Sequence, residues 1–441
     1  MREPEIREHE INAEQVPELS VRPSWGRRLI GIEGLRGFAA VSVIFHHVGQ
    51  HLTDPATTGV VGYLARLSTH GLTLFFALSG FLLYRPFATA LLAGKEIPSI
   101  AAYARNRFLR IYPAYLVIFL LVSLVFGAAY INGVPAAGAD KAVGYLTDPL
   151  AIGLNLILAQ TYVPAFLLTG VGTAWSLTAE IAFYVALPIL VLLAALLARK
   201  FVSRTVSVLL PPIVLIVLGL LTTVYVSVQK RGLTGAAADE FSWGHTWSAV
   251  LDRSLLAQAD LFGYGMAAAV VVVILQRRKL STLPSWLKWA VLGSALLVGL
   301  SAIKGPLGPL QSNGVGVAAA LLIIATVLPS RVGGQTGNRF ARALEWLPIR
   351  FMGLISYSLY LWHLPVILWL QSQGLIFGTD TPSLLANFAV VLAITTLLAS
   401  ATYFLVERPA MRFKKKQNRP RDRSKPQRVR LPQPEAVRPK G

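Results

Sequence analysis

The sequence predicts an all-α fold, a polytopic integral membrane bundle of about ten transmembrane helices. Three observations predict it. Hydrophobic residues make up 54% of the chain and charged residues 14%, where a soluble domain is about a quarter charged, and the mean hydropathy is +0.57. Apolar stretches long enough to cross a bilayer recur from end to end. Basic residues gather in every second interval between those stretches, the pattern of a chain threaded back and forth across a membrane. There is no cysteine, which removes disulfides, Cys-ligated metals and a thiol nucleophile together. The net charge of +20 would point to nucleic acid in a soluble chain. Here the charge lies in loops and tail, so topology and anionic lipid account for it and nucleic acid is not an expected partner.

Residues 1–28 are polar and mixed in charge, without the apolar run and cleavage site of a signal peptide. They read as a mobile cytoplasmic arm. Residues 29–412 read as one transmembrane domain with spans at 29–49, 71–92, 111–131, 172–198, 205–228, 254–276, 284–303, 313–330, 351–372 and 382–406. Arg27 and Arg28 precede the first span. Arg85, Lys95, Arg105, Arg107 and Arg110 lie between the second and third, Arg199, Lys200 and Arg204 after the fourth, and Arg277, Arg278 and Lys279 after the sixth. Arg331, Arg339, Arg342 and Arg350 precede the ninth. The alternation predicts a multi-pass cell-membrane protein with both termini in the cytoplasm. The segment 150–166 is uncharged but short, and is expected to be re-entrant or interfacial. Residues 413–441 are Lys, Arg, Pro and Gln with almost no apolar side chain. They read as a disordered, basic cytoplasmic tail that holds anionic lipid headgroups.

The first span carries the chemistry. It includes Glu33, Arg36, His46 and His47, and ionisable groups at membrane depth need a partner or a task. Ten residues separate Arg36 from His47. Eleven steps of about 100° return to within about 20° of the starting direction and rise about 16 Å, so the two share one helix face at different depths. Glu33 lies one turn before Arg36 on that face and is placed to pair with it. An imidazole suits the removal of a hydroxyl proton, and arginine forks suit phosphates.

Four further segments stand out: Gly71–Leu83, Tyr103–Tyr115 with its Arg-Asn-Arg-Phe-Leu-Arg, Trp175–Tyr184 beginning Trp-Ser-Leu-Thr-Ala-Glu, and Leu354–Pro365 with Tyr-Leu-Trp-His. The last span ends in Val-Glu-Arg-Pro. In this order and spacing the chain, from about residue 30 to 412, resembles the acyltransferase 3 family of integral-membrane O-acyltransferases. The resemblance implies an acyltransferase moving an acyl group, with acetyl the expected one, from acyl coenzyme A to a hydroxyl. The acceptor would be a glycan, a glycolipid or a related envelope or secondary-metabolite compound. It implies His47 as the catalytic residue, with Arg36 positioning and Glu33 holding it, and Arg107 and Arg110 on the donor. Trp175, Ser176, Glu180, Tyr360 and His363 would line the pocket. The chain departs from the family pattern at Glu33, usually Asp, and at Ile181, usually a second acidic residue. Some members carry a fused extracytoplasmic domain, and none is expected after residue 412.

Structural alternatives stand beside these roles. His46 reads as a hydrogen-bonded packing residue, Arg107 and Arg110 also fit ordinary membrane anchoring, and Glu180, Asp260 and His363 also fit structural pairing. His47 and His51 have the spacing of a zinc pair but lack an acidic third ligand, so no metal is expected. Two other function classes remain open. One is a secondary transporter or lipid or glycolipid flippase, which would favour pseudo-symmetric halves with paired broken helices. The other is an inactive relative serving as a scaffold.

Overall fold

The structure, a computed structural model, describes residues 29–54, 59–131, 143–278, 284–304, 310–328, 330–332 and 335–414. The expected N-terminal arm lies outside the described residues, as does the expected tail apart from Phe413 and Lys414. The described chain runs through α1 (Ile32–His51), α2 (Val60–Leu67), α3 (Gly71–Ala93), α4 (Ile100–Leu120) and α5 (Pro149–Leu156). It continues through α6 (Trp175–Lys200), α7 (Arg204–Gln229), α8 (Gly235–Trp243), α9 (Trp247–Arg253), α10 (Leu255–Arg277), α11 (Ser285–Lys304) and α12 (Gln311–Val327). It closes with α13 (Arg339–Ala343), α14 (Leu347–Leu354), α15 (Ser356–Ser372), α16 (Thr381–Thr402) and α17 (Arg408–Arg412). Strand pairing among the described residues is limited to two short antiparallel pairs, at 129–130 with 143–144 and at 330–332 with 335–337.

The fold is an all-α polytopic membrane bundle. Seven helical stretches are long and apolar enough to cross a membrane, or eight if α14 and α15 count as one bent span. The other two expected spans coincide with α1, which carries the ionisable residues, and with α12, which is apolar but short. The segment 150–166 forms α5 and two single 3₁₀ turns at Gln160–Tyr162 and Pro164–Phe166. Asp148 starts α5 by accepting from Leu150 N at 2.8 Å.

Two helix ends differ from expectation. The third span was expected to begin at 111, but α4 begins at Ile100, directly after Pro98, with Ser99 Oγ accepting from Ala102 N at 3.3 Å. Arg105, Arg107 and Arg110 therefore lie on the first turns of a helix rather than in a loop. That helix also keeps Pro113 in its interior, which membrane helices tolerate when neighbours satisfy the freed carbonyl. The last span runs on to Arg412 through a π turn at Tyr403–Glu407. The wider turn re-aims Glu407 into the bundle, where it is buried.

Burial separates centre from rim. Of the most apolar window in the stretches containing α3 and α10, 67% is buried; for α11 the figure is 17%. The rim helices turn Leu193, Leu196, Leu221 and Leu297 outward, as a lipid-facing surface requires. α3, α6 and α10 meet through Phe76, Phe183 and Phe262, whose rings lie 4.7 and 4.3 Å apart. α14 and α15 meet at an angle of 80° around Ile355. α14 lies flat on the start of α1, and α15 turns inward, where nearly every residue is buried. Gly353 and Gly37 allow the first contact. A Cβ on Gly353 would fall 1.7 Å from Glu33 O, and one on Gly37 would fall 2.0 Å from Ile349 O. Small residues let membrane helices approach backbone to backbone.

Candidate active site

Arg36 and His47 project from α1 toward two different cavities. The first lies beside Arg36 and has a volume of about 70 Å³. Its walls come from α1, α3, α6 and α15, and its polar groups are Arg36, Ser79, Ser176, Glu180, Ser356, Tyr357 and Tyr360. Ser356, the first residue of α15 after the bend, accepts from Arg36 Nε at 3.2 Å. Glu180 Oε1 accepts from Ser79 Oγ and from Tyr184 Oη, each at 2.7 Å. The carboxylate is thus held by hydroxyls from two helices. Apolar walls with fixed polar groups among them are the usual form of a small-molecule site.

The second cavity, of about 340 Å³, opens beside His47. Leu72 and Tyr360 line both cavities, so they form the partition. Tyr360 Oη lies 2.7 Å from Ser176 Oγ and donates to Thr173 O at 3.2 Å. His47 Nδ1 lies 2.9 Å from Val43 O, one turn back on its own helix. A carbonyl only accepts, so Nδ1 carries the proton of the neutral ring and Nε2 is the basic nitrogen. His363 Nε2 approaches the same Nδ1 at 3.3 Å, and the two rings lie 4.9 Å apart. His46 turns away to Ala65 O at 3.2 Å, as a packing histidine does, while still bordering the second cavity. His51 stacks on His47 with ring centres 6.1 Å apart. Among the described residues no group of three or more histidines and acids is placed to hold a metal ion.

The other sequence-predicted residues divide. Trp175 lines the second cavity and Ser176 the first. Glu33 lies with Oε2 3.6 Å from Arg350 Nε, at the contact of α1 with α14. Arg110 Nη1 pairs with Glu407 Oε2 at 2.9 Å, and Ser358 Oγ donates to the other carboxylate oxygen. Arg107 sits over the Tyr184 ring, 5.9 Å from its centre. Its Nε is buried without a hydrogen-bond partner among the described residues. Asp260 is buried beside Gly219 where α7 meets α10, and it lines neither cavity. Lys414, just past the last helix, has its pKa lowered to about 8 by burial and by the nearby charges of Arg110, Arg107 and Arg36. Arg36, Arg107, Arg110 and Lys414 thus form one basic cluster at the Arg36 end of the bundle.

Several groups in these walls escaped sequence reasoning. Ser79, Tyr184 and Ser356 are ordinary residues of apolar helices until the fold brings them to Glu180 and Arg36. Glu407 carried a signal, an acid closing an apolar helix, but its partner lies 297 residues away. Trp243, Asp252, Arg253 and Gln258 fall where the sequence shows only a charged interval and the start of a span.

The family described as "Acyltransferase domain" matches residues 29–404. The chain is 26% identical over 403 residues to "Acyltransferase MdmB" of Streptomyces mycarofaciens, covering 88% of this chain and 92% of that protein. It is 25% identical over 399 residues to "O-acetyltransferase OatA" of Staphylococcus aureus strain NCTC 8325, covering 87% of this chain and 57% of that longer protein. It is 33% identical over 162 residues to "Protein 2 in picA locus" of Rhizobium radiobacter, covering 35% of this chain and 78% of that protein. No solved structure matches. With a family match spanning nearly all of the bundle and a named acyltransferase similar over almost its whole length, the chain belongs to the acyltransferase 3 family and is a multi-pass membrane acyltransferase.

Proposed function

We propose that this chain is an O-acyltransferase that moves an acyl group, acetyl in the first instance, from acyl coenzyme A to a hydroxyl of a carbohydrate, glycolipid or related acceptor. The observation that carries the reading is His47, which stands beside the partition between two cavities with Nε2 as its basic nitrogen. The charge alternation supports a cytoplasmic location for both termini, and so for the Arg36 end. The donor enters there. Arg107 and Lys414, which lie in one basic cluster, meet the phosphates. Arg110 has its charge balanced by Glu407 and shapes the cluster more than it binds. The acceptor enters the larger cavity from the opposite side.

The chemistry then balances as follows. His47 Nε2 takes the hydroxyl proton of the acceptor as its oxygen attacks the thioester carbonyl carbon. The C–O bond forms, the C–S bond breaks, and the imidazolium returns the proton to the leaving thiolate, giving ester and free coenzyme A. The partner ring of His363 at 3.3 Å fixes the orientation of His47. Arg36 lies about 16 Å further along the helix, and helical side chains lean toward the N-terminus. It therefore acts on the body of the donor as a positioning residue, with Glu180 and Ser356 beside it, and Glu33 secures the helix start through Arg350.

The test is direct. Purified protein in detergent or nanodiscs, given acetyl coenzyme A labelled in the acetyl group together with a soluble glycoside acceptor, should bind the donor and release free thiol. Absence of both binding and thiol release from a folded sample would overturn the assignment and return the chain to the transporter class.

A further inference from the structure

The larger cavity holds a cluster that the reaction as derived does not use. Arg253 ends α9 and is almost wholly buried, with 3% of its surface exposed. Its guanidinium lies flat on Trp243, 3.4 Å from the ring centre, and faces Trp175 at 5.9 Å. Nη1 donates to the carbonyls of Ser242 and, at 3.3 Å, Ala249. Nε has no hydrogen-bond partner among the described residues. Asp252 approaches Nη1 at 3.7 Å, and its side chain stays 37% exposed. Gln258 donates to Asp252 O at 3.1 Å. All five side chains line the cavity that His47 lines.

A buried guanidinium fixed by two carbonyls and two indoles is costly to leave with an idle N–H. The part of Arg253 that lines the cavity, rather than the enclosed Nε, is where a ligand oxygen is met. The charge of the cluster decides which oxygen. Asp252 and Arg253 cancel, so an anionic ligand would meet the Asp252 carboxylate as well as the arginine, and repulsion would offset the gain. A neutral hydroxyl both donates and accepts, so it can bridge the two. The indole faces supply flat apolar surface beside them, and a volume of about 340 Å³ lies within the roughly 300–1,000 Å³ usual for ligand sites. Apolar face with equatorial hydroxyls is the surface chemistry of a pyranose ring.

The geometry points to the Trp175–Arg253–Trp243 cage with Asp252 as the acceptor subsite, taking an uncharged glycosyl ring and holding one of its hydroxyls toward His47. This deepens the proposed O-acyl transfer and rests on it. Trp243 lies on α8 and Asp252 and Arg253 on α9, with Trp175 at the start of α6, so acceptor choice is set by segments separate from α4, which carries Arg107.

The test uses matched soluble acceptors. Wild-type protein is given acetyl coenzyme A and, in turn, octyl glucoside, octyl galactoside, octyl rhamnoside and octyl glucuronide, each below its micelle concentration. Thiol release and mass spectrometry of the glycosides are followed. At least one neutral glycoside should accelerate thiol release several-fold and gain an acetyl group, and the glucuronide should do so at least tenfold less well. Trp243→Leu, Asp252→Asn and Arg253→Lys should raise the acceptor KM tenfold or more while the donor KM changes less than threefold. Trp286→Leu, on the exposed face of α11, is the control that changes neither. Should Arg253→Lys fail to fold, the exposed Trp243 and Asp252 variants carry the measurement. Preference for the glucuronide, no acceleration by any neutral glycoside, or an unchanged acceptor KM in folded Trp243→Leu and Asp252→Asn overturns the subsite. These outcomes are separate from failure of the acyltransferase reading, in which wild type neither binds acetyl coenzyme A nor releases thiol.

Discussion

His46 and His47 are adjacent in sequence and differ in every contact relevant to a base. A step of about 100° turns His46 to Ala65 O and leaves His47 against Val43 O and His363. Replacing His47 by Ala should lower acyl transfer by about a hundredfold or more, in line with the usual size of a general-base contribution. Coenzyme A binding and detergent-stable folding should persist. His46→Ala should keep most activity. Initial-rate assays of the two purified variants decide it, and equal losses would remove His47 from its role. On the donor side, Arg107→Ala should raise the donor KM by about ten- to a hundredfold, since a charged hydrogen bond to phosphate is worth about 1.5–3 kcal/mol. Lys414 adds a pH dependence. Its pKa is lowered to about 8, so it is charged and attracts phosphate below that pH and becomes neutral above it. The donor KM should therefore rise as pH passes through about 8, and Lys414→Ala should flatten that rise. An unchanged pH profile in the variant would take Lys414 out of the donor site.

Among the elements, the α1–α14 contact fixes the geometry of everything downstream. α14 must touch the backbone of α1 for the chain to bend by 80° at Ile355 and send α15, with Ser356, Tyr360 and His363, through the core. Gly353→Ala places a methyl group 1.7 Å from Glu33 O, and a backbone atom cannot swing aside as a side-chain tip can. Such overpacking costs about 1–3 kcal/mol or more. The expected result is a clear drop in the detergent melting temperature, together with lost activity. Gly293→Ala, in α11 with open space where its Cβ would sit, should leave the melting temperature level or slightly raised, because glycine inside a helix costs about 0.5–1 kcal/mol relative to alanine. Equal melting curves for the two variants would show that the close approach is not needed.

At the scale of the whole molecule, the two cavities lie back to back with only Leu72 and Tyr360 shared between their walls. A donor and an acceptor from opposite sides of the membrane can then react without exchanging places. This arrangement requires the Arg36 end to face the cytoplasm. A reporter fused after Gly441 should be active only inside the cell, and one inserted in the interval after Gly232 only outside. The reverse pair of results would invert the donor and acceptor sides.

Much of this was legible in the sequence. Every expected span coincides with a helix or helix pair, because hydropathy and charge alternation follow from the exclusion of water and are independent of how helices pack. The shared face of Arg36 and His47 follows from helix geometry alone, since both lie on one continuous helix. The family was legible from motif order. Packing decided the rest. The bend at Ile355 has neither proline nor glycine at the break, so no local signal marks it. Glu33 was expected beside Arg36 and lies against Arg350. Arg110 is paired with Glu407, 297 residues away in the chain, a pairing that no local signal marks. The interval after α7 read as a charged loop and folds into α8 and α9, where an indole–guanidinium cage forms. Periodicity tells which face of a helix avoids lipid or water. Which helix that face meets, and which polar groups are thereby brought within 3 Å, is fixed only when side-chain volumes and hydrogen bonds are satisfied together in three dimensions.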